Sequence, residues 1–169
     1  MRICPMCQTP WLSEDHICMF CDYDSQTPVS ELSRTQINDF MSSYEYSITD
    51  EGGYRIITVK NIRDIALRGG VALPPFVTEI SDGAFANCKF ISIIELPRGL
   101  KSIGEDAFGG CRDLFDVFIP ETVTNMGKSV FADCYSLKNI RCAAPEKPSD
   151  WDANWLDGCD AKVTWGCDE

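Results

Sequence analysis

The chain has 169 residues, of which 44% are hydrophobic and 24% charged, and this composition is typical of a folded, soluble protein and not of a disordered one. No apolar run approaches the roughly 20 residues that a membrane-spanning helix needs. The formal net charge of −11 argues against a general nucleic-acid surface, because affinity for phosphates depends on Lys and Arg. The N-terminus lacks the apolar stretch of a secretory signal, so we expect a cytoplasmic location and no membrane insertion.

The first feature along the chain is a doubled CxxC motif. Cys4 and Cys7 form the first pair, and Cys18 and Cys21 form the second. Four thiolates with this spacing converge on one ion in the tetrahedral geometry of structural zinc. A segment of about 25 residues has no core of its own, so the metal would supply its folding free energy. We therefore predict a metal-binding module over residues 1–27 with one structural Zn²⁺.

The first pair, "CPMC", resembles the CPxCG knuckle of zinc-ribbon proteins, with Gln8 and Asp22 in place of the glycine after each pair. Rubredoxin-like iron is a weaker alternative, because that family separates its knuckles much further. A thioredoxin-like redox pair needs a βαβ context that is absent here. His16 is expected to be exposed or to lie beside the ligands, since four cysteines already complete the coordination shell.

Residues 28–44 have the pattern of a polar linker followed by a short capping helix. Ser33 and Gln36 match a capping box. Apolar residues then keep helical spacing, at Ile37, Phe40, Met41 and Tyr44. We expect this helix to cover one end of the domain that follows, in preference to binding a partner.

The remaining part, residues 45–169, begins with the pattern of a β hairpin. Alternating residues flank the Gly52-Gly53 turn, as expected of two antiparallel strands. They are Tyr44, Tyr46 and Ile48 before the turn and Tyr54, Ile56 and Thr58 after it.

A 23-residue repeat follows the hairpin. Phe85, Phe108 and Phe131 recur at this spacing, and a cysteine follows each of them after three residues. Further columns with the same spacing start at Leu73, Pro74, Val77, Ile80, Ile91 and Ile94. No single unit buries its apolar side alone, so we expect the units to stack, with parallel strands about 4.8 Å apart. The proline column ends each strand, because proline has no N–H for further pairing.

The stretch "LPPFVTEISDGAFANCKFISIIELP" and its two successors resemble BspA-type leucine-rich repeats, a bacterial class, over about residues 70–142. The hairpin is similar to the one that often precedes the first coil in that family. The resemblance implies a mainly β fold with short helical turns, namely a leucine-rich repeat solenoid of about four to five coils attached to the small N-terminal zinc ribbon. Many relatives are surface proteins, which makes a surface or secreted location the alternative to the cytoplasm.

The C-terminal end departs from the repeat. Leu156 and Cys159 occupy the Phe and Cys positions two residues late, as expected of a degenerate terminal cap. We expect three tryptophans to cover the open end of the core there: Trp151, Trp155 and Trp165.

The repeated cysteines, Cys88, Cys111 and Cys134, are interpreted as small, buried, apolar residues. A redox or metal role is disfavoured, because no His lies near them in the sequence. Cys142, Cys159 and Cys167 are unassigned, and a reduced, intracellular protein accounts for the whole pattern most simply.

The sequence contains a single histidine and none of the common catalytic motifs, so we predict that the protein is not an enzyme. A protein–protein interaction module is the leading hypothesis, because a solenoid presents a long row of strand side chains. The alternative is a nucleic-acid-associated or regulatory adaptor acting through the zinc ribbon, although Arg2 is the only basic residue in positions 1–27. A third interpretation treats the repeats as a scaffold that displays the ribbon.

Strand alternation predicts the binding face. Positions 94 and 96 point inward, whereas Ile93 and Glu95 point outward. On later coils Ile93 aligns with Asp116 and Asn139, and Glu95 aligns with Phe118 and Arg141. We predict that Ile93, Phe115 and Phe118 anchor a protein partner and that Glu95 and Arg141 set its orientation. Three alternatives stay open: ordinary isolated surface hydrophobes, cover by the hairpin, or cover by a second copy of the chain.

Overall fold

The structure is a computed structural model, and it describes residues 2–3, 10–11, 41–42, 44–50, 52, 54–59 and 70–168. Within these ranges the chain forms two short strands near the N-terminus and two sheets of five strands each. The short strands, β1 (Arg2–Ile3) and β2 (Pro10–Trp11), pair antiparallel.

The first sheet is entirely parallel and takes one strand from each coil. Its members are β5 (Gly70–Ala72), β7 (Ile93–Glu95), β9 (Asp116–Ile119), β11 (Asn139–Cys142) and β12 (Lys162–Thr164), which are neighbours in that order. A residue pairs with the residue 23 positions further along, as Ile93 does with Asp116 and Asn139 with Lys162.

The second sheet contains a second strand from three of the coils and also the predicted hairpin. Its members are β3 (Tyr44–Ile48), β4 (Tyr54–Val59), β6 (Val77–Ile80), β8 (Ser102–Ile103) and β10 (Asn125–Met126). Strands β3 and β4 pair antiparallel, which confirms the hairpin, and β4 then pairs parallel with β6. The hairpin therefore extends the second sheet and leaves the first sheet to the repeats.

The core lies between the two sheets and contains every predicted column. The three phenylalanines Phe85, Phe108 and Phe131 are each 0% exposed. The other apolar columns are buried as well, namely those that start at Leu73, Val77, Ile80, Ile91 and Ile94. The repeat thus builds a mainly β solenoid of about four turns.

The predicted helical turns are not found in residues 70–168, which contain turns but no helix. Two columns adopt positive φ in each of the three regular repeats: Gly83, Asp106 and Ser129 in one, and Asn87, Gly110 and Asp133 in the other. Glycine has little steric penalty there, and Asn and Asp tolerate it better than most residues. The turn N–H groups also bond to the next coil, as Asn87 does to the Gly109 carbonyl at 2.7 Å. Both features prevent the i→i−4 bonding of a helix.

The C-terminal end of the core is closed by the predicted tryptophans. Trp151 and Trp155 are buried, and Trp165 packs against them, half-buried. The Trp155 ring lies edge-on to Phe131 with 6.4 Å between centroids. Leu156, which was expected to replace the repeated phenylalanine, is only half-buried. The larger indole takes the ring position beside Phe131 instead.

The other end of the core is covered by Met41, which is 1% exposed, and by Tyr44. The Tyr44 ring lies edge-on to Phe85 with 6.2 Å between centroids. Tyr44 belongs to strand β3, so it reaches the core from a strand and not from the predicted helix. The rest of that helix prediction lies outside the described residues, as do Cys4, Cys7, Cys18 and Cys21.

Candidate protein-binding face

The outward side chains of the first sheet form rows that cross the coils, and we call this surface the candidate face. One row contains Ile93, Asp116, Asn139 and Lys162, which are paired in register. A second row contains Phe118, Arg141 and Thr164, also in register, with Glu95 on the neighbouring strand β7. The predicted outward columns therefore occupy one surface.

Apolar side chains are exposed on the candidate face. Ile93 is 48% exposed and Phe115 is 55% exposed, whereas Ile94 and Leu96 are buried. The predicted strand register is confirmed by this alternation. The Phe115 N–H donates to the Ser92 carbonyl at 3.0 Å, so Phe115 lies on the coil next to Ile93 at the start of the strands.

Arg141, which was predicted to orient a partner, is engaged within the face itself. Its guanidinium donates to the Asp116 carboxylate at 2.7 Å and lies over the Phe118 ring, 5.6 Å from the centroid. Each contact contributes at most about 1 kcal/mol at a partly exposed site. Together they hold Arg141 in one orientation and leave Phe118 half-buried.

An open groove of about 480 Å³ adjoins Phe118 on the side of the strand ends. Its apolar lining includes Phe118, Pro120 and Ala143. Arg98 and Glu121 also line it and bring opposite charges to the same groove. A groove of this kind accommodates an apolar side chain next to a charged one.

Two cations of the candidate face were missed by the sequence reasoning. The Lys138 N–H donates to the Phe115 carbonyl at 3.0 Å, and the Lys162 N–H donates to the Lys138 carbonyl at 2.9 Å. Both lysines are exposed. Lys138 follows Phe115 by 23 residues, and this spacing could have predicted that Lys138 lies beside Phe115 on the next coil.

The second sheet has a different character, because its surface groove of about 660 Å³ is rich in carboxylates. The acidic lining residues are Glu79, Asp82, Glu105, Asp150 and Asp152. Arg55, which also lines it, is paired with Glu79 at 2.5 Å. The two sheets thus present different surfaces, one partly apolar with cations and the other predominantly acidic.

The repeated cysteines are buried and free, as predicted. The Cys111 and Cys134 thiols donate to the carbonyls of Phe85 and Phe108, each at 3.2 Å. Burial raises the pKa of Cys88 to about 11 and that of Cys134 to about 12, and it raises the pKa of Cys111 further. Thiols held protonated in this way are poor nucleophiles and poor metal ligands.

No group of three or more His, Cys, Asp or Glu side chains in the described ranges is arranged to hold a metal ion. Nor does any helix among those residues have the length and apolar character needed to cross a membrane.

The stacked coils with an inward leucine-like column define a leucine-rich repeat solenoid. The family model described as the BspA type leucine rich repeat region (6 copies) matches residues 58–160. The chain belongs to this BspA-type family. Repeats of this family and fold are generally non-enzymatic and typically serve protein interaction.

Solved structures share the fold. A leucine-rich repeat protein from Bacteroides capillosus ATCC 29799 is 24% identical with a TM-score of 0.60, and the match covers 73% of this chain and 94% of that one. A leucine rich cell surface protein from Faecalibacterium prausnitzii A2-165 is 23% identical with a TM-score of 0.55, and the match covers 75% of this chain and 40% of that one. No curated protein is significantly similar to the chain.

Proposed function

We propose that this chain is a non-enzymatic protein–protein interaction module that binds a protein partner through the candidate face. The observation that carries the proposal is the exposure of Ile93, at the start of β7, and of Phe115, immediately before β9 on the adjacent coil. Burying a large apolar side chain contributes about 1.5–3 kcal/mol, so two neighbours supply a useful share of a binding free energy. Such residues are typical of the apolar centre of an interface.

The placement of the hairpin supports this proposal. Strand β4 pairs with β6 of the second sheet, so the hairpin lies on a different sheet from Ile93 and Phe115. Phe118, Glu95 and Arg141 complete the proposed surface. Because Arg141 contacts Asp116 and Phe118, we assign it the role of holding these two side chains in place on the face. Glu95 lies on the same strand as Ile93.

A capture experiment with a double substitution tests the binding face. Ile93→Ser with Phe115→Ser removes the two exposed side chains and leaves Phe118 and its Arg141 contact in place. Ile48→Ser is the control, because Ile48 is 64% exposed but lies in β3 on the second sheet. We expect the double variant to keep its melting temperature and to lose partners that the wild type and the control capture from native lysate. A folded double variant that captures every partner would place the site elsewhere.

The N-terminal part of the proposal is a structural zinc ribbon with Cys4, Cys7, Cys18 and Cys21 as ligands. The described residues on either side of the first pair support it. Arg2 pairs with Trp11 and Ile3 with Pro10, so residues 4–9 connect two antiparallel strands. Two CxxC pairs are a common ligand pattern of structural zinc sites. The four soft thiolate donors fit zinc, which would stabilise the fold and leave no open coordination position for chemistry.

Two observations favour different compartments for the protein. The described cysteines are free, and the doubled CxxC motif needs reduced thiols, which supports our proposal of a cytoplasmic location. The Faecalibacterium prausnitzii structure with the same fold is that of a cell surface protein, which supports the surface alternative. Fractionation of the native host followed by immunodetection would distinguish them: signal in the soluble cell interior is expected, and signal at the surface would contradict the proposal.

A further inference from the structure

We infer that the partner segment is extended and acidic, with apolar side chains against Ile93 and Phe115 and carboxylates against Lys138 and Lys162. This inference rests on the proposed function and adds the chemistry of the partner. It depends on three features of the candidate face: its local charge, the order of its residues across the coils and the spacing of the strands.

Cations outnumber carboxylates on the candidate face, whereas the whole chain is negatively charged. The chain has a formal net charge of −11. On the candidate face, by contrast, Lys138 and Lys162 are both exposed and lie on adjacent coils, joined by a backbone hydrogen bond of 2.9 Å. Arg141 pairs with Asp116 at 2.7 Å, and Glu95 is the other carboxylate of this face, so three cations stand against two carboxylates. Lys162 pairs with Asn139, so the two lysines are offset by one residue, and both cations would attract an anionic partner segment.

The order of the residues sets the order of the contacts along the partner. Ile93 lies on β7, Phe115 immediately precedes β9, Lys138 immediately precedes β11, and Lys162 begins β12. The surface therefore changes from apolar to cationic along the solenoid axis. A segment that crosses the strands would contact the apolar residues first and the lysines afterwards.

The strand spacing sets the length of the motif. Three strand steps separate β7 from β12, and neighbouring strands lie about 4.8 Å apart, which gives a span of roughly 14 Å. An extended chain advances about 3.3 Å per residue, so roughly four or five residues cover this distance. The expected motif thus has one or two large apolar residues with Asp or Glu within about five positions on one side of them.

Selection from a displayed library of random decapeptides against the full chain tests the inference. Enriched sequences are expected to combine an aromatic or aliphatic residue with an acidic pair at this spacing, on its N-terminal or its C-terminal side. Their affinities are then measured by fluorescence anisotropy. We expect binding to weaken at least tenfold with Lys138→Glu and Lys162→Glu together, and several-fold when sodium chloride rises from about 0.05 to 0.5 M, because salt screens exposed charges.

A matched charge reversal on the second sheet is the control. Lys101→Glu with Lys128→Glu changes the net charge equally, and both lysines are exposed beside β8 and β10. This control should leave affinity unchanged, and unaltered melting temperatures establish that each variant is folded.

The outcomes separate the inference from the proposed function. Enriched peptides that need Ile93 and Phe115 but lack acidic residues, or that tolerate the Lys138 and Lys162 reversal, would overturn the inference and leave the proposed function standing. Peptides indifferent to all four residues would overturn both. The absence of any enriched peptide would overturn the inference that the partner is an extended segment. If sedimentation shows a dimer that dissociates with Lys138→Glu and Lys162→Glu, the partner is a second copy of this chain and not an acidic segment of another protein.

Discussion

The rings of Phe108 and Phe131 are stacked, with planes 7° apart and centroids 5.5 Å apart. Phe85 continues the stack at 5.2 Å from Phe108, and Trp155 ends it edge-on to Phe131. The repeat thus places one ring per coil in a continuous column, which connects neighbouring coils through their largest buried side chains.

Removal of the Phe108 ring should lower the stability of the protein considerably. Phe108→Ala leaves a large cavity between two coils, and we expect the free energy of unfolding to fall by about 3–5 kcal/mol. Phe90→Ala is the control, because Phe90 is 59% exposed, and it should change stability by less than about 0.5 kcal/mol. Denaturant titration measures both. Equal stability of the two variants would contradict the inward assignment of the column.

The close approach of adjacent coils predicts a specific glycine requirement. A side chain at Gly104 would overlap the backbone nitrogen of Asp82 on the preceding coil, whereas one at Gly99 would lie 3.6 Å from the Pro75 carbonyl. Gly104→Ala should therefore cost about 1–3 kcal/mol through overpacking, and Gly99→Ala should be nearly neutral. Thermal melts of the two variants check this difference. A Gly104→Ala protein as stable as Gly99→Ala would mean that the coils are further apart.

The buried thiols predict a loss of stability in alkaline solution. Unfolded thiols have a pKa near the ordinary value of 9.0, whereas burial raises the pKa of Cys88 to about 11 and those of Cys134 and Cys142 to about 12. Above pH 9 the unfolded chain therefore loses protons that the folded chain keeps. The free energy of unfolding should be unaffected by these thiols below pH 9 and should fall from there toward pH 12, by up to about 1.4 kcal/mol per pH unit for each thiol.

Urea titrations at several pH values measure this fall in the free energy of unfolding. A variant that lacks two of the repeated cysteines isolates the contribution of the thiols. Cys111→Ala with Cys134→Ala should be less stable at pH 7, by on the order of 1 kcal/mol for each site, and should lose less stability between pH 9 and 11. An unchanged slope in this variant would assign the alkaline loss to other groups.

The proposed zinc ribbon predicts one zinc per chain by elemental analysis. Cys4→Ser with Cys18→Ser should abolish it, whereas the control Cys167→Ser should retain it. Chelation should unfold the ribbon and leave the main thermal transition in place, because the solenoid has its own core. A metal-free protein with an ordered N-terminal region would contradict the zinc assignment.

Much of the fold was predictable because the repeat imposes the same environment on each coil. The spacing of Phe85, Phe108 and Phe131 predicted three equivalent buried positions, and the alternation around Ile94 predicted that Ile93 is exposed. The turns were mispredicted as helical, because the positive φ at Asn87 and Asp133 depends on hydrogen bonds to a neighbouring coil. Sequence periodicity does not report such bonds.

By itself, the sequence determined the period, the inward columns, the hairpin and the outward position of the candidate face, because each follows from local alternation repeated every 23 residues. Only the tertiary structure decided that the hairpin joins the second sheet, that Trp155 rather than Leu156 meets Phe131, and that Arg141 is held by Asp116 and Phe118. These contacts depend on how far neighbouring coils are offset and on which side chains fit the remaining space. That information exists only once the coils are stacked.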